Sequence, residues 1–335
     1  MKAIVQTDPK DPASLQLAEV PTPTPAEGEL LVKVHTAGVN RGDILQTRGH
    51  YPPPPGASQI LGMECAGTIV ENRAGRGPAV GSPVGCLLAG GGYAEYVAVP
   101  AGQTAPLPAG LTVDELGSLM EVACTVWSNL GMVARLGEQN PREQNAGDHG
   151  AAPKRVLIHG GAGGVGSFAI QLCAALGLDV AVTAGSPDKL DYCRKLGATE
   201  LINYHEQDFS EGLKGSVNVI LDIIGAKYLK GNLRALAPDG QLIIIGMQGG
   251  TKAEINLGSL LPRRLSIHGT TLRARSVADK SRIVASTVAN VWPLVEAGAI
   301  RHHVHQVFPL ADAALAHRTL DSGKVTGKLA LRVAS

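Results

Sequence analysis

The chain has 335 residues, enough for two domains, and its 44% hydrophobic and 18% charged residues exclude a disordered polymer. A formal net charge of +1 and only 3% aromatic residues provide neither a field that recruits nucleic acid or an anionic membrane surface nor rings for base stacking. Five scattered cysteines, without a CxxC or a zinc-finger spacing, read as small buried thiols in a reducing cytoplasm.

The opening "MKAIVQTDPKDP" lacks the apolar run of a signal peptide, and the densest apolar runs, such as "QLIIIGM", are strand-sized and too short to cross a bilayer. A cytoplasmic protein without a membrane partner is the expectation. The first third reads as β-rich: 30–39, 66–70 and 91–99 are strands between Gly and Pro punctuation. "PTPTP" (21–25) and "YPPPPG" (51–56) cannot be strand interiors and read as rigid loops. The stretch 137–154, "GEQNPREQNAGDHGAAPK", is polar and without apolar period, an exposed loop.

From residue 154 the pattern alternates. "KRVLIHG" is a strand, and "GSFAIQLCAALG" a helix with Ala169, Leu172, Cys173 and Leu176 on one face and Gly177 as its stop. "DVAVTAG" is a strand, and "SPDKLDYCRKLG" a helix with Ser186 as N-cap and Pro187 at its first position. "TELINY", "VNVILDIIG", "QLIIIGM" and "RLSIHGT" complete six strands, with a helix over "AKYLKGNLRALAPDG". Continuous apolar strands alternating with helices predict an α/β, doubly wound (Rossmann) parallel sheet covered on both faces. After about residue 270 comes a long helix, "VADKSRIVASTVANVWPLVEAG", which Pro293 should kink or interrupt. The chain closes with "HHVHQVFPL", a helix "ADAALAHRTLDSG" and a strand "GKLALRV".

Between the first strand and helix of this alternation lies Gly161-x-Gly163-x-x-Gly166. A bare GxGxxG is weak, but a strand entering and a helix leaving make it a dinucleotide loop. Glycines let the chain turn and let pyrophosphate approach the backbone, while the helix N-terminus supplies unpaired N–H groups and partial positive charge. In NAD proteins an acid about 20 residues further on accepts from the ribose hydroxyls. Here that place is Ala184, Gly185 and Ser186, with Lys189 one turn on and Tyr204 ending the next strand. The absence of a carboxylate removes repulsion of a 2′-phosphate, and Ser186 and Lys189 can donate to it. NADPH is the expected cofactor.

Taken end to end, "AGVNRGDILQTRGHYPPPPGAS", "LGMECAGTIV", "GGGYAEYVAVP", "HGGAGGVGSFAIQL", "VTAGSPDKL", "INYHEQDF" and "GKLAL" resemble the medium-chain dehydrogenase/reductase superfamily. The likeness is to its zinc-free quinone oxidoreductase branch, and most of all to the p53-inducible-type NADPH:quinone oxidoreductases. The zinc enzymes of the superfamily use a Cys and the His of a Gly-His-Glu motif. Asn40 and Met63 stand in those places here, and an amide and a thioether are poor zinc ligands. His302, His303 and His305 have no acid or Cys beside them and read as surface or domain-contact histidines, so no metal is expected.

The resemblance implies a GroES-like β-rich catalytic domain from residues 1–122 and 273–335, a Rossmann NADPH-binding domain from 123–272, an active site in the cleft, and a homodimer joined at the edge strand "RLSIHGT". It carries cofactor contacts onto Asn40, Tyr51 and Thr125 near the nicotinamide. For the phosphates it points to Ala162, Gly163, Gly164, Val165, Gly166, Gly185, Ser186, Lys189 and Tyr204. Gly246, Met247, Thr270, Thr271 and Leu272 would lie along the cleft. Lys328 is a further candidate, set against an ordinary surface lysine. The implied reaction is hydride transfer from NADPH to a quinone, with Tyr51 as proton donor or polar orienter and Asn40 orienting the carboxamide or Tyr51. The rival within enzymes is reduction of a conjugated carbonyl, where the carbanion formed demands protonation. The rival of another class is a non-catalytic NADPH- or RNA-binding protein, against whose RNA form the neutral charge and scarce aromatics count.

Overall fold

The computed structural model describes residues 1–8, 10–75, 77–137 and 154–333, so the loop expected at 137–154 lies, apart from its two end residues, outside the described residues. The chain divides into two compact units, Met1–Thr125 with Leu272–Ser335, and Val126–Thr271. In chain order the strands are β1 Lys2–Gln6, β2 Leu15–Glu19, β3 Glu29–Val39, β4 Glu64–Asn72, β5 Pro83–Leu87, β6 Tyr96–Pro100 and β7 Thr104–Pro106 in the first unit. The second unit has β8 Arg155–His159, β9 Asp179–Ala184, β10 Glu200–Asn203, β11 Val217–Asp222, β12 Leu236–Ile244 and β13 Ser266–Gly269, and β14 Val304–Pro309 and β15 Lys328–Arg332 return to the first.

The first unit is GroES-like and β-rich because its segments alternate apolar and polar positions. Leu30, Val32 and Val34 of β3 are fully buried while Lys33 between them is exposed. From Thr36 onward every residue of β3 is buried, so its end runs into the interior. β3 has β15 on one side and β4 on the other, in the order β14-β15-β3-β4-β5-β7, with β6 also pairing β3. The strand expected at 91–99 is shorter than its sequence suggests. Gly91 sits at φ +99°, Ala94 makes only an isolated bridge to Ala3, and Tyr96–Pro100 forms β6.

The helix Val277–Glu296 runs through Pro293 instead of stopping there. The proline removes only the hydrogen bond to Ala289, which lies on the exposed side of the helix. One residue before it, Trp292 is anchored by its indole N–H to Pro106 O at 2.8 Å.

The second unit is the doubly wound parallel sheet the alternation predicts. Its order is β10-β9-β8-β11-β12-β13, every pair parallel. The connection reverses direction between β8 and β11, the point where such sheets open for ligands. The helix expected over "AKYLKGNLRALAPDG" is confined to Leu229–Ala235, and Leu236 to Gly240 start β12. Pro238 has no N–H to continue the helix, and Asp239 takes φ +63°.

Candidate functional site

In the second unit β8 ends at His159 and the chain turns through Gly160, at φ +71°, into the helix Gly164–Ala175, whose N-cap is Gly163. The glycines have different physical jobs. A Cβ at Gly166 would collide with the Gly160 carbonyl and the Gly161 backbone, so only glycine lets the helix pack on the turn. A Cβ at Gly161 would press on Cys193 and Val182 at 3.0 Å. Gly163 is different: it is exposed and its nearest neighbour would be 3.6 Å away, so its backbone lies open at the helix N-terminus. Ala162 is buried beside it, while Gly164 and Val165 are half-buried in the first turn.

β9 ends at Ala184, and Ser186 caps the helix Pro187–Lys195 by accepting from Lys189 N at 3.4 Å. Lys189 is half-buried one turn in. Gly185 is glycine because the Tyr204 hydroxyl occupies the space its Cβ would need. Tyr204 is 45% exposed, and its ring lies tilted at 55° against that of His205, centroids 4.5 Å apart. Gly185, Ser186, Lys189 and Tyr204 are therefore placed about one strand end at a helix N-terminus; the strand end itself carries no carboxylate, and Asp188 in the first turn of the helix is exposed.

Beneath the loop runs a buried chain that sequence reading missed. His159 Nδ1 meets Thr183 Oγ1 at 3.0 Å, and His159 Nε2 donates to Asn232 Oδ1 at 2.7 Å. Asn232 Nδ2 donates to Asp222 Oδ2 at 3.0 Å. The Asp222 carboxylate also accepts from Ile224 N at 2.6 Å and Gly225 N at 3.2 and 3.1 Å. Burial pushes the His159 imidazole down to about 4, so it is the neutral ring that spans β8, β9 and the helix Leu229–Ala235. Of the remaining expected residues in this unit, Thr270 donates to Asn129 Oδ1 at 2.6 Å, Gly246 packs on Ile223, and Met247 is 59% exposed; Thr271 ends the unit.

In the first unit Asn40 follows β3 and stands at the N-cap of the helix Arg41–Thr47, its backbone N–H held by the Asp43 carboxylate. Its neighbours come from both flanking strands. Leu329 pairs with Val39 across β15–β3, which sets Lys328 next to Asn40. Cys65 pairs with Ala37 across β3–β4, which sets Glu64 beside Gly38, and Gly38 has no Cβ because the Glu64 carboxylate fills that space. Lys328 Nζ donates to Asn40 Oδ1 at 2.5 Å, Glu64 Oε1 at 2.8 Å and Val39 O at 3.1 Å. Asn40 Nδ2 donates to the same Glu64 oxygen at 2.8 Å. An ammonium only donates and a carboxylate only accepts, so the network itself fixes which way the Asn40 amide points. Lys328 is 4% exposed and no surface lysine; Glu64 is fully buried.

The cluster extends along the helix Met120–Val126. Glu121 N donates to Glu64 Oε2 at 2.9 Å, and Thr125 Oγ1 donates to Glu121 Oε1 at 2.9 Å. Desolvation raises the Glu121 carboxyl to about 7, against the opposing pull of Lys328. On the other side of Asn40, Asp43 accepts from Asn40 N at 2.8 Å, Gly62 N at 3.1 Å and the Tyr93 hydroxyl at 3.2 Å, and burial raises it to about 6. Tyr51 is half-buried in the proline loop, its ring under the Arg273 guanidinium at 5.2 Å, while Arg273 also donates to Tyr51 O at 2.9 Å. Thr125 and Leu272, expected with the nucleotide domain, belong to this unit. Of the three histidines, His302 is no plain surface residue: its Nε2 meets Ser118 Oγ at 2.8 Å. Glu64 and Glu121 escaped the sequence reading. The one signal available for Glu64 was its place after Met63 in the altered Gly-His-Glu motif.

A GroES-like β unit into which a doubly wound parallel-sheet unit is inserted is the architecture of the medium-chain dehydrogenases and reductases. Matches to known proteins agree. The family described as "Alcohol dehydrogenase GroES-like domain" matches residues 26–109, and that described as "Zinc-binding dehydrogenase" matches residues 164–288. The chain is 30% identical to quinone oxidoreductase of Rattus norvegicus, over 99% of this chain and 97% of that protein. It is 31% identical to a mycocerosic acid synthase-like polyketide synthase of Mycobacterium tuberculosis over 97% of this chain, and spans 15% of the length of that much larger protein. The solved structure of Escherichia coli quinone oxidoreductase complexed with NADPH matches at a TM-score of 0.82 and 26% identity, covering 99% of this chain and 100% of that one. The chain belongs to the medium-chain dehydrogenase/reductase superfamily, alongside the quinone oxidoreductases.

The zinc in one family's description does not suit this donor set. Asn40 Oδ1 is already taken by an ammonium, Met63 offers a buried thioether, and among the described residues no group of three or more His, Cys, Asp or Glu is arranged to hold a metal ion. No helix among the described residues is long and apolar enough to cross a membrane.

Proposed function

We propose that this protein is an NADPH-dependent reductase that delivers a hydride to quinones. The observation that carries the cofactor choice is the end of β9, where Ala184, Gly185 and Ser186 stand in place of a ribose-binding acid, with Lys189 one turn on and Tyr204 against Gly185; the one acid nearby, Asp188, is exposed in the first turn of the helix. The open backbone at Gly163 and the helix behind it suit a pyrophosphate, with Ala162, Gly164, Val165 and Gly166 shaping the turn. Asn40, Tyr51 and Thr125 are assigned to the nicotinamide end, and Gly246, Met247, Thr270, Thr271 and Leu272 to its surroundings. When bound, reduced nicotinamide supplies the hydride, and the protein contributes binding, orientation and exclusion of water. Asn40, with its amide locked by Lys328 and Glu64, is a rigid polar orienter. Tyr51 is the hydroxyl assigned to the acceptor. The quinone assignment is supported by the rat relative, which matches almost end to end.

The test is an NADPH-oxidation panel of quinones and conjugated carbonyls with NADH as control. NADPH should be preferred; equal use of NADH would refute the reading of β9. A second reading, reduction of conjugated carbonyls, is favoured by the polyketide synthase relatives, in which a stretch similar to this chain is one part of a larger protein. Tyr51→Phe tests the role of the hydroxyl: a carbanion must be protonated at carbon where it forms, whereas a quinone's oxyanion can take its proton from another group, so if Tyr51 is that donor the loss should be far greater on the enone. The assembly we propose is a homodimer joined through β13. That strand ends the parallel sheet, its backbone edge has no sheet partner among the described residues, and it carries Ile267, 38% exposed.

A further inference from the structure

Glu121 has no part in the hydride chemistry described above, yet it is built into the same cluster. It lies four residues before Thr125 on the helix Met120–Val126, so the two side chains share a face, and the threonine hydroxyl is 2.9 Å from Glu121 Oε1. Its backbone is tied to Glu64 Oε2, and Glu64 in turn is held by Asn40 and Lys328. The groups that face its carboxyl are Lys328 from β15, Glu64 from β4, Asp43 from the helix Arg41–Thr47, and its helix neighbour Cys124. Two carboxylates and one ammonium around a half-buried acid make both of its protonation states accessible near neutrality. Thr125 and Asn40 each keep 8% of their surface and Glu121 is half-buried, so the network reaches solvent-facing space at these residues.

We propose that Glu121 is the proton source for the reduced acceptor, acting through the hydroxyl of Thr125. The proposal rests on the reading of the protein as a hydride-transferring reductase. When Glu121 is protonated the hydrogen bond reverses: the carboxylic O–H donates to Thr125 Oγ, and the threonine proton becomes the one available for transfer. The acceptor takes a hydride, two electrons and one hydrogen, from reduced nicotinamide and is left as an oxyanion beside oxidised nicotinamide. The Thr125 O–H bond breaks as the acceptor O–H forms, and the Glu121 O–H breaks as the Thr125 hydroxyl is restored. Glu121 ends as a carboxylate near the Lys328 ammonium and regains its proton from solvent. An acid that burial raises to about 7 serves both halves of that cycle.

The experiment compares Glu121→Gln, Thr125→Val and Thr125→Ser with the wild type in quinone turnover against pH, with NADPH affinity measured alongside. In the wild type kcat should fall about tenfold per pH unit above neutrality, as Glu121 loses its proton. Glu121→Gln should lower kcat by on the order of a hundredfold and abolish that inflection while leaving NADPH affinity intact. Thr125→Val should lose kcat and the inflection as Glu121→Gln does, whatever it does to NADPH affinity, and Thr125→Ser should restore the profile. A readout free of turnover is carbon NMR of glutamate-labelled protein without cofactor, in which one carboxyl should titrate at about 7 and vanish in Glu121→Gln. A Glu121→Gln protein with the wild-type kcat and profile overturns the proposal, as does a folded Thr125→Val protein that keeps them, or a spectrum with no carboxyl titrating near neutrality. A wild-type protein that does not oxidise NADPH strikes the reductase reading beneath; one that does, with an unaltered variant, strikes the proton source alone.

Discussion

Replacing Lys328 with methionine asks whether the buried end of β3 depends on a charge pair or on packing. Methionine keeps an unbranched stem and removes the ammonium with its three hydrogen bonds, to Val39, Asn40 and Glu64. Glu64 is 0% exposed, so its carboxylate would be left without a cation and without water. Breaking a buried pair by deleting one partner typically costs about 3–5 kcal/mol. That is a large share of the roughly 5–15 kcal/mol that holds a domain folded. With a urea slope of about 2 kcal/mol per molar, the unfolding midpoint should fall by roughly 2 M. Adding Glu64→Gln removes the orphaned charge, so the double variant should recover much of the loss and depart from additivity by more than 1 kcal/mol. Urea melts followed by circular dichroism give all four corners of this cycle. If Lys328→Met stays within about 0.5 kcal/mol of wild type, or the two changes simply add, the pair is not what secures this strand end.

His159 provides a pH signature. Its imidazole is held down to about 4 from an ordinary 6.5, so between those values the unfolded chain takes a proton that the folded chain refuses. Its contribution is complete above pH 6.5 and is lost as pH falls toward 4, by up to about 3 kcal/mol. The stability gap between wild type and His159→Gln should therefore narrow over that window, and a gap independent of pH would show the ring is not desolvated. Lys189→Glu should lower kcat/KM for NADPH about 10- to 100-fold, the value of one charge-assisted hydrogen bond, and leave NADH nearly unchanged; undiminished NADPH selectivity would remove Lys189 from the phosphate site. Ile267→Lys puts a charge on the exposed edge of β13 and should yield a monomer by light scattering; a persistent dimer would place the interface elsewhere.

The readable parts of this protein were local. The sheet of the second unit followed from apolar strands alternating with helices, and the helix Pro187–Lys195 followed from Ser186 and Pro187 at its start. Errors arose where one residue's backbone preference outweighed the pattern. Asp239, at positive φ, and Pro238 shortened a helix, Gly91 at positive φ precedes the shortened strand, and Pro293 is accommodated where Ala289, the residue one turn before it, is exposed. Lys328 shows the other limit. Nothing in "TGKLAL" separates it from a solvated lysine, since its burial depends on what β3 and β4 bring alongside.

Periodicity, caps and the glycine loop are short-range properties, set within a turn or two of helix or a single strand. For that reason the amino-acid order alone determined the doubly wound sheet, the dinucleotide turn and the absence of an acid at the end of β9. Asn40, Glu64, Glu121 and Lys328 lie up to 288 residues apart and meet because β3 is sandwiched between β15 and β4. Only the tertiary structure decided their company, because the desolvation that makes such charges pair and shifts the proton of Glu121 belongs to the packed interior and to no segment of the chain by itself.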